Sequence, residues 1–122
     1  MVDTDWGSLV WHTANPVRTA RVLAAWDEHL ADPYLPRTLG PRLTRAGFKV
    51  DRCAVIPLLN AQLDPNTFSY ALVDMIATFV DGRHGITRSE ADAWAAELRA
   101  GEDAYFFSLN RYLFLASRPP TA

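Results

Sequence analysis

The sequence predicts an α/β fold, or α+β if the chain is an isolated piece, with three strands and about four helices. Between each strand-like segment and the next lie two helix-like segments, in which apolar residues recur at helical spacing. Several helix starts also carry capping signals. With 122 residues, 49% of them hydrophobic and 21% charged, the chain is long enough for one core, which predicts a single domain over residues 1–122.

The helix boundaries follow from Pro, Gly and capping residues. Asn15-Pro16 predicts an N-cap followed by proline at the first helical position. Gly47 is expected in the left-handed conformation after the second helix. Thr87 and Glu90 fit a capping box. The predicted elements are a strand at 2–6, helices at about 16–31 and 37–46, a strand at 48–59, helices at 66–81 and 88–100, and a strand at 105–117.

The strands differ in their expected positions. Pro57 favours an edge position for the second strand, because proline cannot donate to the sheet ladder. The last strand is the most apolar, as expected for a central strand that is buried on both faces. Residues 7–15 are interpreted as a loop, although they include the apolar run Leu9-Val10-Trp11.

Composition excludes several classes of protein. A net charge of −2 without a basic patch argues against a nucleic-acid partner, and no apolar stretch could span a bilayer. Cys53 is the only cysteine, which indicates a reducing cytoplasm and is interpreted as an inert, packed thiol. No His, Asp or Glu grouping has metal-ligand spacing, so a metal site is rejected.

Four segments, in order, resemble one protein family. Residues 2–6 look like the end of a fifth strand, and Ala46-Gly47-Phe48 resembles the junction before a sixth strand. Residues 64–70 are similar to a helical insertion, and residues 106–119 look like a seventh strand. The family is the class I S-adenosylmethionine-dependent methyltransferases, and the resemblance is to their C-terminal part only.

The resemblance implies the C-terminal half of a Rossmann-like fold, in which the seventh strand inserts antiparallel between the fifth and the sixth. The expected architecture is therefore a three-stranded mixed sheet with an antiparallel last strand. The family's cofactor, S-adenosylmethionine, is held by its first half, through a glycine-rich turn. The six glycines here form no G-x-G-x-x-G cluster. We therefore expect no cofactor binding or catalysis by the chain alone, unless a complementing N-terminal half is supplied.

Two titratable side chains are weak catalytic candidates. Asp5 would face a substrate at the carboxyl end of the first strand and could accept a proton, although a solvated or capping carboxylate is the simpler interpretation. His12 could act as a base near neutral pH, although a lone loop histidine is more often structural.

Four aromatic residues could line a small-molecule substrate site, although such residues more often pack in a core or a lid. They are Trp6, Trp11, Phe68 and Tyr70.

Three functions stay open from the sequence. The chain could be the C-terminal portion of a methyltransferase that acts on a small molecule. It could instead be a non-enzymatic dimerisation or partner-binding module that uses an open sheet edge, which is expected on the first strand. Third, it could be a small-molecule binding domain with an apolar pocket.

Overall fold

The computed structural model describes residues 1–120, which form three antiparallel strands and four helices, an α+β arrangement. No helix in this range is both long and apolar enough to cross a membrane. The elements are β1 Val2–Trp11, α1 Pro16–Trp26, α2 Pro36–Arg45, β2 Lys49–Asn60, α3 Phe68–Val80, α4 Arg88–Ala100 and β3 Phe107–Ser117, with short 3-10 turns at Asp27–His29 and Glu102–Ala104.

The strands form one sheet in the order β1-β3-β2, so β3 is central and β1 and β2 are the two edges. This confirms the predicted central position of the last strand and the edge position that Pro57 indicated. The expected mixed sheet is instead antiparallel throughout. The two strands that run the same way are not neighbours, because β3 lies between them.

The chain divides into two compact units. The sheet unit contains residues 1–9, 32–58 and 109–120, and the helical unit contains residues 10–31 and 59–108. Most of each strand lies in the sheet unit, whereas α1, α3 and α4 lie in the helical unit.

In the sheet unit, α2 packs on β3. Pro36 and Leu39 of the helix are buried, as are Leu109 and Phe114 of the strand. A Cβ added to Gly40 would lie 3.9 Å from the Phe114 ring, an ordinary contact distance. The helix ends as predicted: the following glycine has φ +91°, and Phe48 N–H donates to Leu43 O at 3.0 Å.

The helical unit has an aromatic core. Trp94 and Phe107 are fully buried, and Trp11 packs against both, with ring centroids 5.6 Å and 4.9 Å away. Trp94 Nε1 donates to Thr19 Oγ1 at 3.2 Å, which satisfies its buried polar atom. The amphipathic faces of α1, α3 and α4 enclose this core.

Two predicted boundaries were wrong. β1 continues to Trp11, so residues 7–11 are strand rather than loop, because Trp11 is buried in the core and Gly7 does not end the strand. α1 ends at Trp26 instead of residue 31, since a 3-10 turn follows and the His29 ring bonds to Trp26 O at 2.5 Å. The other helix limits agree within about two residues.

The predicted N-caps are confirmed at two helices. Asn15 Oδ1 accepts from Arg18 N–H at 3.0 Å, and Thr87 Oγ1 accepts from Glu90 N–H at 3.1 Å. The Glu90 side chain, expected to complete a capping box, instead pairs with Arg21 of α1. An inter-helix ion pair thus replaces the second half of the box.

Candidate functional site

Asp5 lies on β1 in the sheet unit and is only 6% exposed. Its Oδ2 accepts from Arg37 Nε at 2.9 Å and its Oδ1 from Arg37 Nη2 at 3.1 Å. Gly7 N–H donates to the same Oδ1 at 2.9 Å. Asp5 is therefore a buried, ion-paired carboxylate and not a solvated one, and its bond to Gly7 N–H is the local capping contact that the simpler interpretation included.

The partner of this carboxylate, Arg37, is the second residue of α2 and stacks over Tyr34, with its guanidinium 4.7 Å from the ring centroid. The hydrogen bond to Asp5 raises the pKa of Arg37 above its ordinary value. Because both Asp5 oxygens already accept hydrogen bonds from a cation, Asp5 is poorly placed to take a proton from a substrate. The pair instead fixes the start of α2 against β1.

His12 belongs to the helical unit, where its backbone N–H donates to Phe106 O at 3.0 Å and its side chain is exposed. It lines a crevice of about 310 Å³, which we name the His12 crevice. The lining residues include His12, Thr13, Glu97, Leu98, Ala104 and Tyr105.

Glu97 of α4 is the charged group of the His12 crevice. It accepts hydrogen bonds from Thr13 Oγ1, from Asn15 N–H at 3.0 Å and from Arg18 Nη2. The Thr13 hydrogen bond is the largest cause that lowers the pKa of Glu97 below its ordinary value, with the Asn15 and Arg18 bonds contributing further. Glu97 thus stays ionised near neutral pH, with both oxygens occupied.

Tyr105 forms the inner wall of the same crevice and is 4% exposed. Its hydroxyl lies 2.5 Å from Ser69 Oγ, and it accepts from Trp11 Nε1 at 3.1 Å. Ser69 is itself fully buried, and its N–H donates to Asn60 Oδ1 at 3.0 Å. These hydroxyls satisfy one another inside the core and are not presented to a ligand.

Two residues that line the His12 crevice, Glu97 and Tyr105, have their polar side-chain atoms engaged within the protein. Acid–base catalysis requires a group with a free lone pair or proton at a matched pKa. Glu97 is ionised and saturated with donors, and the Tyr105 hydroxyl is committed to Ser69 and Trp11. His12 is the one crevice residue named here that has an exposed titratable side chain.

A second cleft in the helical unit has a volume of about 400 Å³ and a more polar lining, which includes Gln62, Glu102 and Asp103. Within residues 1–120, no three His, Cys, Asp or Glu side chains converge on a point that could hold a metal ion.

The four predicted substrate-site aromatics have different environments. Trp11 is buried in the helical unit, as the core-packing alternative stated. On α3, Phe68 is 41% exposed and 6.1 Å from the Phe107 centroid, and Tyr70 is half-buried beneath the Arg99 guanidinium. Trp6 is half-buried and belongs to the sheet unit. The three residues of the helical unit do not share either cleft described above.

The described residues do not fit S-adenosylmethionine. A seat for its nucleotide needs a glycine-rich turn between a strand and a helix. The glycines with positive φ are Gly47, which precedes β2, and Gly82 and Gly85, which lie between α3 and α4. None of these three follows a strand and opens a helix, so no such turn is formed within residues 1–120.

The edge strand β2 is the most exposed strand of the sheet unit. Eight of the twelve β2 residues are exposed and none is buried. Val55 and Ile56 are 53% and 38% exposed. Cys53 is also exposed, so the prediction of a packed thiol was wrong, because this strand lies at an edge and every odd-numbered residue from Lys49 to Leu59 faces solvent.

The other edge, β1, is better covered than the sequence suggested. Trp6 N–H donates to Pro33 O at 3.0 Å, so the segment before α2 occupies part of this edge. Asp5 next to it is buried beneath Arg37. We expected the open sheet edge on β1, but β2 is the more accessible of the two edge strands.

Sequence reasoning missed Arg37, Glu97, Ser69 and Tyr105 as partners of the candidate residues. Asp5 and Arg37 are 32 positions apart, and Thr13 and Glu97 are 84 apart. No local pattern couples residues at such separations. The one available signal was an arginine placed at the start of a helix, where an anion from another element commonly compensates it.

Comparison of the chain with protein-family models, curated proteins and solved structures gives no match.

Proposed function

We propose that the chain is a non-enzymatic partner-binding module whose working surface is the outer edge of β2. The observation that carries the proposal is that this twelve-residue edge strand has no buried residue. Its main-chain groups on the outer side have no neighbouring strand, and a partner that adds a strand would satisfy them. We place this module in the cytoplasm, where the exposed Cys53 thiol would stay reduced.

Pro57 identifies which backbone groups of β2 face outward. Proline cannot donate to β3, so its position must be one whose backbone groups point to the open edge. In an extended strand, alternate residues share that direction. The N–H and C=O groups of Asp51, Cys53 and Val55 are thus the ones offered to a partner, and those of Arg52 and Ala54 pair with β3.

The hydrogen bonding of two carboxylates supports this proposal over catalysis. The carboxylates of Asp5 and Glu97 are fully engaged by donors from their own unit. Partner binding through main-chain hydrogen bonds needs no activated side chain, whereas catalysis does.

A display selection of extended peptides against the intact chain, followed by amide hydrogen exchange on each complex, tests the proposal. We expect selected peptides to slow exchange at Cys53 and Val55 and to leave α1, α3 and α4 unchanged. Peptides that protect the His12 crevice or the helices instead would contradict the proposal. The Val55→Pro variant removes one outward donor and should weaken selected peptides, whereas Val55→Thr, which keeps the N–H, should not.

A second candidate is favoured by the strand order. As the alternative, we propose that the chain is the C-terminal portion of a class I S-adenosylmethionine-dependent methyltransferase that acts on a small molecule. Placement of an antiparallel last strand between the other two supports it. A complementing N-terminal half would supply the cofactor seat, and Phe68, the most exposed of the three candidate aromatics of the helical unit, would contact substrate.

Calorimetry with S-adenosylmethionine tests this second candidate. We expect no heat with the chain alone, and binding when a separately produced cofactor-binding half of a small-molecule methyltransferase is added. Micromolar binding by the chain alone would contradict the requirement for a second half. No binding in the mixture would count against the methyltransferase candidate, and it would leave the partner-binding module unaffected.

A further inference from the structure

We propose that the partner at the β2 edge is a second copy of this chain, paired antiparallel about a two-fold axis at Cys53. The two sheets would join into one continuous six-stranded sheet with the two Cys53 residues opposite each other. This inference rests on the proposed function and names its partner.

Symmetry limits the registers that are possible. In a continuous antiparallel sheet, the two-fold axis is perpendicular to the sheet, so it passes through one residue position that faces its own copy. An axis at Asp51 or at Arg52 places two like charges directly opposite each other, which is unfavourable. An axis at Val55 places each Pro57, which lacks an N–H, opposite Cys53 within the paired region. An axis at Cys53 moves Pro57 opposite Lys49, the first residue of β2.

Among the central positions from Asp51 to Val55, the remaining axes are at Cys53 and at Ala54, and side-chain pairing separates them. With the axis at Cys53, Val50 lies opposite Ile56 of the second copy, an apolar pair of the kind that stabilises sheets. With the axis at Ala54, Arg52 lies opposite Ile56 instead. The Cys53 register also pairs Asp51 with Val55, so the outward N–H groups of Asp51, Cys53 and Val55 all find acceptors.

The edge strand also offers apolar surface that a second copy would cover. Val55 and Ile56 are 53% and 38% exposed. In the Cys53 register they lie opposite Asp51 and Val50 of the second copy, so both would lose exposed area on pairing.

Charge on the edge permits self-pairing. The β2 segment of the sheet unit carries Lys49, Asp51 and Arg52, two cations and one anion, so two copies do not present strong like-charge fields. In the Cys53 register, neither Asp51 nor Arg52 faces a like charge directly, because they lie opposite Val55 and Ala54. Because the charges on β2 are mixed, a strongly acidic or strongly basic partner would gain little electrostatic attraction from this edge.

Sedimentation velocity of the full chain in reducing buffer, over a wide concentration range, is the primary test. We expect a reversible dimer for the wild type and for Val55→Thr. Val55→Pro should associate at least about tenfold more weakly, because two inter-strand hydrogen bonds per dimer are lost. Far-UV circular dichroism and the unfolding midpoint of each variant establish that the fold is retained.

A charge pair at Val55 tests the register without proline. In the proposed dimer, Val55 lies opposite Asp51 of the second copy. Val55→Glu should therefore weaken the dimer relative to Val55→Lys by at least about fivefold. Equal association of these two variants would overturn the register.

Mild oxidation tests the position of the axis. Hydrogen-bonded antiparallel pairs have Cα atoms about 5.5 Å apart, within the range that a disulfide spans. We expect a covalent Cys53–Cys53 dimer to form in the wild type at concentrations where it is dimeric, and more slowly in Val55→Pro. Cys53→Ser should still dimerise non-covalently, because the thiol is only a reporter.

The outcomes separate this inference from the proposed function. A monomer at all concentrations overturns the second-copy inference, and the proposed function stands if selected peptides still protect Cys53 and Val55. A monomer with no such peptides overturns both. A dimer that is insensitive to Val55→Pro, or that does not cross-link through Cys53, uses another surface and also overturns the inference.

Discussion

Replacing Glu97 with glutamine should destabilise the helical unit through a small set of named bonds. Glu97 accepts from Thr13 Oγ1, Asn15 N–H and Arg18, which join α4 to the start of α1. Glutamine keeps one acceptor oxygen, but it loses the charge and presents an NH₂ group to donors. The side chains of Arg18 and Glu97 are 23% and 20% exposed, so solvent screens the ion pair only in part.

Hydrogen bonds to charged groups contribute about 1.5–3 kcal/mol each when buried, and a screened ion pair contributes about 1 kcal/mol or less. Because the amide retains one bond, we expect the free energy of unfolding to fall by about 2 kcal/mol. For a chain of this length the melting temperature should fall by about 8 °C. Tryptophan fluorescence is the appropriate measurement, since Trp11, Trp26 and Trp94 all lie in the helical unit.

The pH dependence gives an independent check. The folded pKa of Glu97 lies below the ordinary value of 4.5 that applies to the unfolded chain. A carboxyl group of this kind stabilises the fold fully above the unfolded pKa, and the stabilisation is lost as pH falls through the folded pKa. The gap between wild type and Glu97→Gln should therefore be constant from neutral pH down to about pH 5 and narrow below pH 4.5.

Glu102→Gln is the matched control, because it removes the same charge from an exposed carboxylate of the same unit. We expect it to change the free energy of unfolding by less than about 0.5 kcal/mol. If Glu97→Gln and Glu102→Gln are equally stable, or if the Glu97→Gln gap does not narrow in acid, the hydrogen-bond reasoning is wrong.

Three further predictions concern other contacts. Tyr105→Phe should cost about 1–3 kcal/mol in urea unfolding, because Ser69 Oγ and Trp11 Nε1 lose their buried partner; a variant as stable as the wild type would refute the assigned role. At concentrations where the chain is monomeric, Ile56→Pro should cost about 1–3 kcal/mol by removing a bond to β3, whereas Val55→Pro should change stability by less than about 0.5 kcal/mol; the reverse order would show that the outward positions are misassigned. Arg37→Ala should lower the melting temperature, and adding Asp5→Asn should restore part of the loss, because the buried carboxylate is no longer uncompensated; a double variant that loses the full sum of both single effects would contradict the coupling.

Local chemistry in the sequence was sufficient for the number and order of the helices and strands. Asn15 and Thr87 cap their helices through their own side chains, and Gly47 closes α2 with φ +91°, so each of these boundaries depends on a few adjacent residues. Pro57 and the apolar last strand indicated the edge and centre of the sheet for the same reason. A missing N–H restricts a strand to an edge, and a continuous apolar run favours a central position, whichever elements surround the strand.

Only the tertiary structure decided how the candidate residues are used. Asp5 was a candidate catalytic group, but Arg37, which is 32 positions away in the sequence, occupies both of its carboxylate oxygens. Cys53 was expected in a core and lies on an open edge, because burial depends on which elements cover a strand and not on the strand's own residues. Hydrophobic periodicity records which face of an element is apolar, whereas the neighbour that covers that face is set by contacts between distant segments.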